Sequence, residues 1–452
     1  MSHRKRLASV IPGGAHTYSR GSDQFPANAP DLLVRGEGAW VWDADGRKYL
    51  DYGMALRAVT LGYAEPRVTE AACQAIRQGN SLTRPSLTEL EAAEALVGII
   101  ASAEMVKFAK NGSNVTTAAV KVARSFTRRS LVCIPRQHPF FSFDDWFIGT
   151  TLMNRGVPRE HVAHTRLFDY GRIETLEKIF SDHPGQVAAV MLEPATSHGL
   201  PCPASCPSGV SWEKPCHRCP ENGKNFLLAV QALCRKEGAL LILDEMITGF
   251  RWHPGGAQRF FGIEPDLSTF GKAMANGFSV AALVGRREVM SVGAIEPEGE
   301  ERTFLLSSTH GAEMCGMAAF LETARIYREE DVCGHLWGYG AQLRQVLLEE
   351  AEKAGVQRHV RLVGPDIALA LETLDVEGNP SRGFLTLFAQ EMVRHGVLMP
   401  WVAVSTAHRA PELEHTRRAF RGALQTYQQA LREGLYKFLE GPEIRPVFRA
   451  LN

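Results

Sequence analysis

Short apolar runs that break off at a glycine, a proline or a carboxylate alternate along this chain with longer stretches whose apolar positions recur at helical spacing. The run VAAVMLEP ending at Glu193-Pro194, the run GALLIL opening at Gly238, and AALVG beyond Lys272 carry no polar alternation, and Val106 to Ala109 reads as a further short strand. Strands covered on both faces have this composition, so these runs predict a buried, mainly parallel sheet. Upstream, GAWVWDADGRKYLDY alternates apolar and polar residues around the turn dipeptide Asp45-Gly46 and reads as a β-hairpin. From about Tyr63 to Arg129 the pattern is mostly helical. From about Arg325 it becomes amphipathic helices and short strands: HLWGYGAQLRQVLLEEAEKAG, then IALALETL, then HGVLMPWVAVSTAHRAPELEHTRRAF.

The GALLIL strand ends in two carboxylates, Asp244 and Glu245, and the chain then reaches Lys272 through MITGFRW and EPDLSTFGK. Ligands collect at the carboxyl ends of parallel strands. A buried carboxylate there needs a cationic partner, because leaving it ionised and unpaired costs roughly several kcal/mol. That partner is an arginine, a lysine or a protonated pyridine nitrogen. Lys272 lies between Gly271 and AMANG, among small residues that leave room for a carbonyl carbon bound to its amine. A desolvated lysine has a lowered pKa and can form a Schiff base. An aspartate for a ring nitrogen and a lysine for an aldehyde together describe a site for pyridoxal 5′-phosphate.

The motifs LLILDEMITGFR and PDLSTFGKAMANG resemble the core of the class III, fold type I, pyridoxal-phosphate aminotransferases, and among them the glutamate-1-semialdehyde 2,1-aminomutase branch. The separation 272 − 244 = 28 positions is also that family's. The resemblance implies an α/β fold with a mainly parallel, seven-stranded large domain and a small α+β domain built from the N- and C-terminal segments. It divides the chain into an arm and hairpin over 1–62, a cofactor domain over 63–325 with a cysteine-rich insertion at 200–223, and a small domain over 326–452. Lys272 and Asp244 are the catalytic pair it implies.

Other site residues follow from the same resemblance. The strand Val106–Ala109 meets a Gly-Ser turn that feeds a helix, and such a helix N-terminus suits a phosphate. Gly112, Ser113 and Asn114 fall at the family's phosphate cup, although the family usually has glutamate where this chain has Asn114. In LVCIPRQHPFFSFDDWFIGT, alignment on Asp145-Trp146 places Phe140 where a tyrosine stacks on the cofactor ring and Phe141 where a histidine follows it. Met246 is expected on the opposite ring face. Glu193 lies beside the site, and Arg20, closing the segment IPGGAHTYSRG, falls where an arginine reads the substrate carboxylate with its planar fork. The intervening AHTYS departs from the aminomutase pattern. In FLLSSTHGAEMCGMAAF either Ser308 or Thr309 would give a hydroxyl to the phosphate of the neighbouring subunit's cofactor, so the expected active unit is a homodimer with shared sites.

At the stretch LPCPASCPSGVSWEKPCHRCPENG most members of that family have a shorter connection without these cysteines. Cys202, Cys206, Cys216 and Cys219 form two close pairs that can close a tetrahedron around a structural zinc, with His217 able to replace one; unpaired thiols or two labile disulfides are the other readings. Four sulfur ligands would leave no open position for substrate.

At 452 residues the chain exceeds one hydrophobic core. Its 50 basic and 50 acidic residues balance, which removes the electrostatic case for nucleic acid. No apolar run is long enough to span a membrane, and MSHRKRLASVIPGG lacks a signal peptide's apolar centre. Of nine cysteines, Cys133, Cys234 and Cys315 sit in apolar strands and helices as reduced core thiols do, and a cytoplasmic location is expected. Three functions fit: a transaminase taking a small-molecule amino donor and an oxo acceptor, one of them anionic; a 2,1-aminomutase acting on an amino-aldehyde; and a non-catalytic zinc-binding protein on this fold.

Overall fold

The structure, a computed structural model, describes residues 2–138, 140–196, 199–202, 213, 224–296, 298–299 and 301–451. Among these the strands, in chain order, are β1 Leu33–Glu37, β2 Trp40–Asp43, β3 Lys48–Asp51, β4 Met105–Ala109, β5 Leu131–Pro135, β6 Thr165–Phe168, β7 Val187–Leu192, β8 Leu240–Asp244, β9 Leu267–Phe270, β10 Ala281–Gly285, β11 Val360–Val363, β12 Ala370–Thr373 and β13 Val397–Leu398. Two compact units emerge, one from Pro66–Cys333 and one from Met1–Glu65 with Gly334–Asn452.

The Pro66–Cys333 unit holds a seven-stranded sheet in the order β4-β10-β9-β8-β7-β5-β6. β5 to β9 pair parallel with one another, and β10 alone runs against both of its neighbours. Every residue of β5, β7, β8, β9 and β10 is buried, which is why their sequences show no polar alternation. The helix Gly112–Thr127 packs on this sheet through Val115, Ala118, Ala119, Val122 and Ala123, small side chains that permit close approach. From β5 the chain moves outward to β6, whereas from β7 it moves the opposite way to β8 and β9. The crevice beyond the carboxyl ends of β5 and β7 is therefore the topological switch point of the sheet, where ligands bind in open α/β folds.

In the other unit β1, β2 and β3 form an antiparallel meander, and β13, from the far end of the chain, adds parallel to β3. The expected hairpin turn is tied by the Asp43 carboxylate, which accepts the N–H groups of Asp45 and Arg47 at 3.0 and 2.8 Å and the Tyr49 hydroxyl at 3.1 Å. Gly46 supplies the positive φ the turn needs, at 81°. The stretch IALALETL forms a strand only from Ala370. Its start is a 3-10 turn over Asp366–Ala368, because the Arg344 side chain draws the Asp366 carboxylate to 2.8 Å and the Leu362 carbonyl to 2.6 Å. The helix Ala410–Glu433 buries Thr416, Ala419, Phe420, Ala423, Leu424, Tyr427 and Ala430, the one-sided spacing read from its sequence. Among the described residues no helix is long and apolar enough to cross a membrane.

Candidate active site

β8 ends at Asp244, which is 2% exposed. Its Oδ1 accepts the Met246 N–H and the Thr269 hydroxyl, both at 3.0 Å, while Oδ2 accepts nothing among the described residues. Burial raises its pKa to about 6; the Met246 N–H, the Lys272 charge and the Thr269 hydroxyl hold it from rising further. A buried carboxylate with one oxygen fixed and one open is set to receive a positive N–H.

Thr269 pairs with Asp244 across β8 and β9, and Lys272 follows three residues later, half-buried. Its φ is +42°, the left-handed region that a non-glycine residue enters at a cost of about 1–2 kcal/mol. Met246 locks this turn to the Gly-Ser turn. A Cβ on Gly271 would sit 2.7 Å from the Met246 Sδ, and one on Gly112 would sit 2.9 Å from it. Three segments far apart in sequence thus close on one thioether, and the two glycines are the positions that allow it.

In the first turn of the helix Gly112–Thr127 the Asn111 side chain caps the Asn114 N–H at 3.1 Å. The N–H groups of Gly112 and Ser113, as first-turn donors, have no intrahelical acceptor. The Ser113 hydroxyl accepts the Phe143 N–H at 3.1 Å. The Asn114 N–H is therefore taken by the cap, and Gly112 and Ser113 are left as the first-turn donors without an intrahelical acceptor.

Glu245, beside Asp244, has a different task. Fully buried, it accepts the N–H groups of Ala257 and Gln258 at 2.8 Å each, together with the Thr248 hydroxyl and the Gln258 amide. It anchors the start of the helix Gly256–Phe261.

At the switch point the pairing of Leu192 with Leu243 sets Glu193 level with Asp244. Glu193 is buried, and its N–H donates to the His138 Nδ1 at 3.1 Å. His138 was not singled out from sequence; its place just beyond the strand Leu131–Pro135 was the available signal. Phe141 is 2% exposed, with its carbonyl accepting the Thr116 hydroxyl at 2.8 Å, and so belongs to the core. Phe140 is 45% exposed and meets Phe147 edge-on at 5.8 Å, which leaves ring surface uncommitted.

Ser308 and Thr309 are both exposed. Arg20 ends the 3-10 turn Tyr18–Arg20. Within its own unit it lines a cavity of about 640 Å³ with Arg4, Asp51, Tyr63 and Trp401. Arg4 is paired with Asp31 at 2.9 Å, whereas Arg20 has no ion pair among the described residues. The cavity wall includes part of a left-handed turn over Met54–Arg57, with φ of 40°, 49°, 62° and 67°. The Asp51 carboxylate holds that turn through the N–H groups of Gly53 and Met54 at 2.7 and 3.0 Å and the Tyr63 hydroxyl at 2.6 Å. Cys202 is half-buried, and Cys206, Cys216 and Cys219 lie outside the described residues. Among the described residues no cluster of three or more His, Cys, Asp or Glu side chains could hold a metal.

The donor set fits pyridoxal phosphate: an open buried carboxylate for a ring N–H, a lysine beside it for an aldehyde, and first-turn N–H groups for a phosphate. A family model, aminotransferase class-III, matches residues 18–206 and 219–431. The chain belongs to the class-III aminotransferases. Its relatives include the glutamate-1-semialdehyde 2,1-aminomutase of Thermomicrobium roseum, 32% identical over 435 residues covering 92% of this chain and 95% of that protein. Among solved structures, the FumI protein of Sphingopyxis sp. MTA144, in a pyridoxal-phosphate form, superposes with a TM-score of 0.81 at 27% identity, covering 95% of this chain and 97% of that one. An omega-transaminase from Sphaerobacter thermophilus superposes with a TM-score of 0.77 at 25% identity, covering 94% and 97%. The seven-stranded sheet is thus the class-III aminotransferase sheet; Asp244 ends its strand β8, and Lys272 lies two residues beyond the end of the adjacent strand β9.

Proposed function

We propose that this class-III aminotransferase relocates an amino group on a carboxylate-bearing amino or oxo compound with pyridoxal phosphate as cofactor. The observation that carries the reading is the open Oδ2 of the buried Asp244 beside the left-handed Lys272. When bound, the cofactor supplies an electron sink for the carbon that bears the amine. Asp244 would hold a proton on the ring nitrogen, Lys272 would hold the aldehyde, and its amine would move a proton at the reacting carbon. Gly112 and Ser113 would hold the phosphate, Phe140 and Met246 would be the ring's apolar neighbours, Glu193 would order the rim, and Arg20 is the candidate reader of the substrate carboxylate. The exposure of Ser308 and Thr309 suits delivery of one hydroxyl to a second copy's cofactor, in a cytoplasmic homodimer. Zinc on Cys202, Cys206, Cys216 and Cys219 would be structural; metal analysis of the protein and of Cys219→Ser, reading one zinc per chain against none, tests it.

The relatives' name favours the mutase form of this chemistry, in which the amine returns to a neighbouring carbon of the same molecule. Intermolecular transamination is the second form, favoured by the transaminase neighbour at a TM-score of 0.77 and by the AHTYS segment and the cysteine-rich insertion, where this chain leaves the aminomutase pattern. Turnover of glutamate-1-semialdehyde with no second substrate supports the mutase form. Consumption only when both an amino donor and an oxo acceptor are supplied supports the transaminase. A purified protein that gains no visible absorption band with pyridoxal phosphate refutes both.

A further inference from the structure

The cavity that Arg20 lines is built wholly from the unit Met1–Glu65 with Gly334–Asn452, and its volume of about 640 Å³ exceeds what a small polar compound fills. Cavities of roughly 300–1,000 Å³ take ligands of drug size. The floor is core: Ala29, Val41 and Leu398 are buried there and pack against the partly buried Phe25 and Tyr63. Leu33 and Val34, 46% and 62% exposed, add apolar surface from the edge strand β1. Two aromatic walls are fixed in place. The Trp401 indole N–H donates to the Gly53 carbonyl at 2.9 Å, and the Arg57 guanidinium lies 5.6 Å from the ring. The Tyr63 hydroxyl donates to Asp51 at 2.6 Å and accepts the Ala55 N–H at 2.8 Å, so the polar end of that ring is already committed.

Of the five charged residues on the wall, four are matched from within the unit. Asp31 gives both oxygens to Arg4, one to its backbone N–H at 3.0 Å and one to its Nε at 2.9 Å. Asp51 gives both of its own to Gly53, Met54 and Tyr63. Arg35 pairs with Glu37 at 3.5 Å and lies 3.9 Å over the Trp42 ring. Arg20 is exposed and has no ion pair among the described residues, so its fork is the charge left for a ligand. One cation at the rim and a wall otherwise apolar or committed recognise an acid with an apolar body. A compact polar substrate such as glutamate-1-semialdehyde would leave Phe25, Leu33 and Trp401 against water and forgo the burial that drives association.

We infer that the substrate is an amino acid, or the matching oxo acid, with a bulky apolar side chain: its carboxylate pairs with Arg20 and its side chain fills this cavity. The assignment rests on the proposed role of Arg20 as reader of the substrate carboxylate. An α- or β-amino acid suits the division, because carboxylate, side chain and amine diverge from one carbon or from two adjacent ones and the amine stays free for the cofactor.

Acids that lack an amine separate the cavity from the chemistry. Propionate, hexanoate and phenylpropionate are titrated calorimetrically onto the holoenzyme. Hexanoate should bind about 10- to 60-fold more tightly than propionate, since each fully buried methylene contributes about 4-fold, and phenylpropionate should rank with hexanoate. Arg20→Gln should weaken hexanoate by about 10-fold and leave its uncharged amide, hexanamide, unchanged. Leu33→Asn, at an exposed position of an edge strand where the fold is least affected, should weaken hexanoate by about 3-fold and leave propionate as it was. In the holoenzyme, norleucine and phenylalanine should then deplete the visible cofactor band at lower concentration than alanine does. Equal affinity for the three acids, hexanoate binding untouched by Arg20→Gln or by Leu33→Asn, or a band that responds to glutamate-1-semialdehyde and to neither norleucine nor phenylalanine overturns the inference and leaves the cofactor reading intact. A wild type that gains no visible band with pyridoxal phosphate overturns both.

Discussion

Asp244→Asn should make the cofactor-free protein more stable and the cofactor-bound protein weaker, two effects of opposite sign from one atom. The carboxyl pKa is raised from 3.8 to about 6, chiefly by burial. At 1.36 kcal/mol per pH unit, that shift is a penalty of about 3 kcal/mol for keeping the charged form buried above pH 6. Asparagine removes the charge, but its amide group, placed where Oδ2 now accepts nothing, lacks an acceptor and costs about 1–2 kcal/mol. The net gain for the stripped protein at pH 8 is about 1–2 kcal/mol. The sign of its pH dependence follows from the raised pKa: the wild type gains stability as pH falls from above 6 towards 4 and the carboxyl takes its proton, so the gap closes there. With cofactor bound, the charge that faces the ring N–H is gone, and breaking such a buried pair costs about 3–5 kcal/mol, or about 10² to 10³ or more in cofactor affinity. Urea unfolding of both stripped proteins at pH 8 and pH 5, with absorbance titrations of pyridoxal phosphate, reads all three quantities. A stripped variant less stable than wild type at pH 8, or one that binds cofactor as well as wild type, refutes the reasoning.

Lys272→Ala should abolish turnover, a loss of at least about 10³-fold, while non-covalent cofactor binding persists; restored turnover on adding a small primary amine would place the loss in the missing amine rather than in the fold. Gly271→Ala should weaken cofactor binding by about 10-fold because its Cβ meets the Met246 Sδ at 2.7 Å. Adding Met246→Ala should return part of that loss, and strict additivity of the two changes in a double-mutant cycle would show that the contact does not couple them. Glu245→Gln should lower the melting temperature by about 5–10 °C, since an amide group would face donors where a carboxylate now accepts four. Unchanged thermal stability in that variant would mean that Glu245 does not anchor the helix.

In the large sheet β7, β8 and β10 were legible because they are buried at every position and their runs are apolar, whereas β9, equally buried, carries Ser268 and Thr269 and gives no apolar run to read. Asp244 was legible as a candidate because it ends such a run, where parallel sheets place ligand groups, and Lys272 because small residues flank it. The left-handed turn over Met54–Arg57 was not. It contains no glycine, and what stabilises it is the Asp51 carboxylate and the Tyr63 hydroxyl, a set of contacts that exists only once β3 and the segment after the turn are in place. His138 escaped for a related reason: its meaning lies in a bond to the backbone of Glu193, a residue 55 positions away. The role of β13 was also hidden, because a two-residue strand that continues a meander from the other end of the chain has no periodicity to read.

Asp244 and Glu245 show why residue type alone does not assign a role. Both are buried carboxylates whose pKa burial raises, and they are adjacent in sequence. Glu245 faces four donors from its own unit, so its acceptor capacity is consumed and any added cation would have to displace a structural bond. Asp244 has both of its protein donors on one oxygen, and the other can accept a partner without breaking anything. Successive residues leaving a strand point to opposite faces, which sends the two carboxylates into different surroundings. The carboxylate proposed to meet the cofactor is thus the one whose hydrogen bonding the protein leaves incomplete.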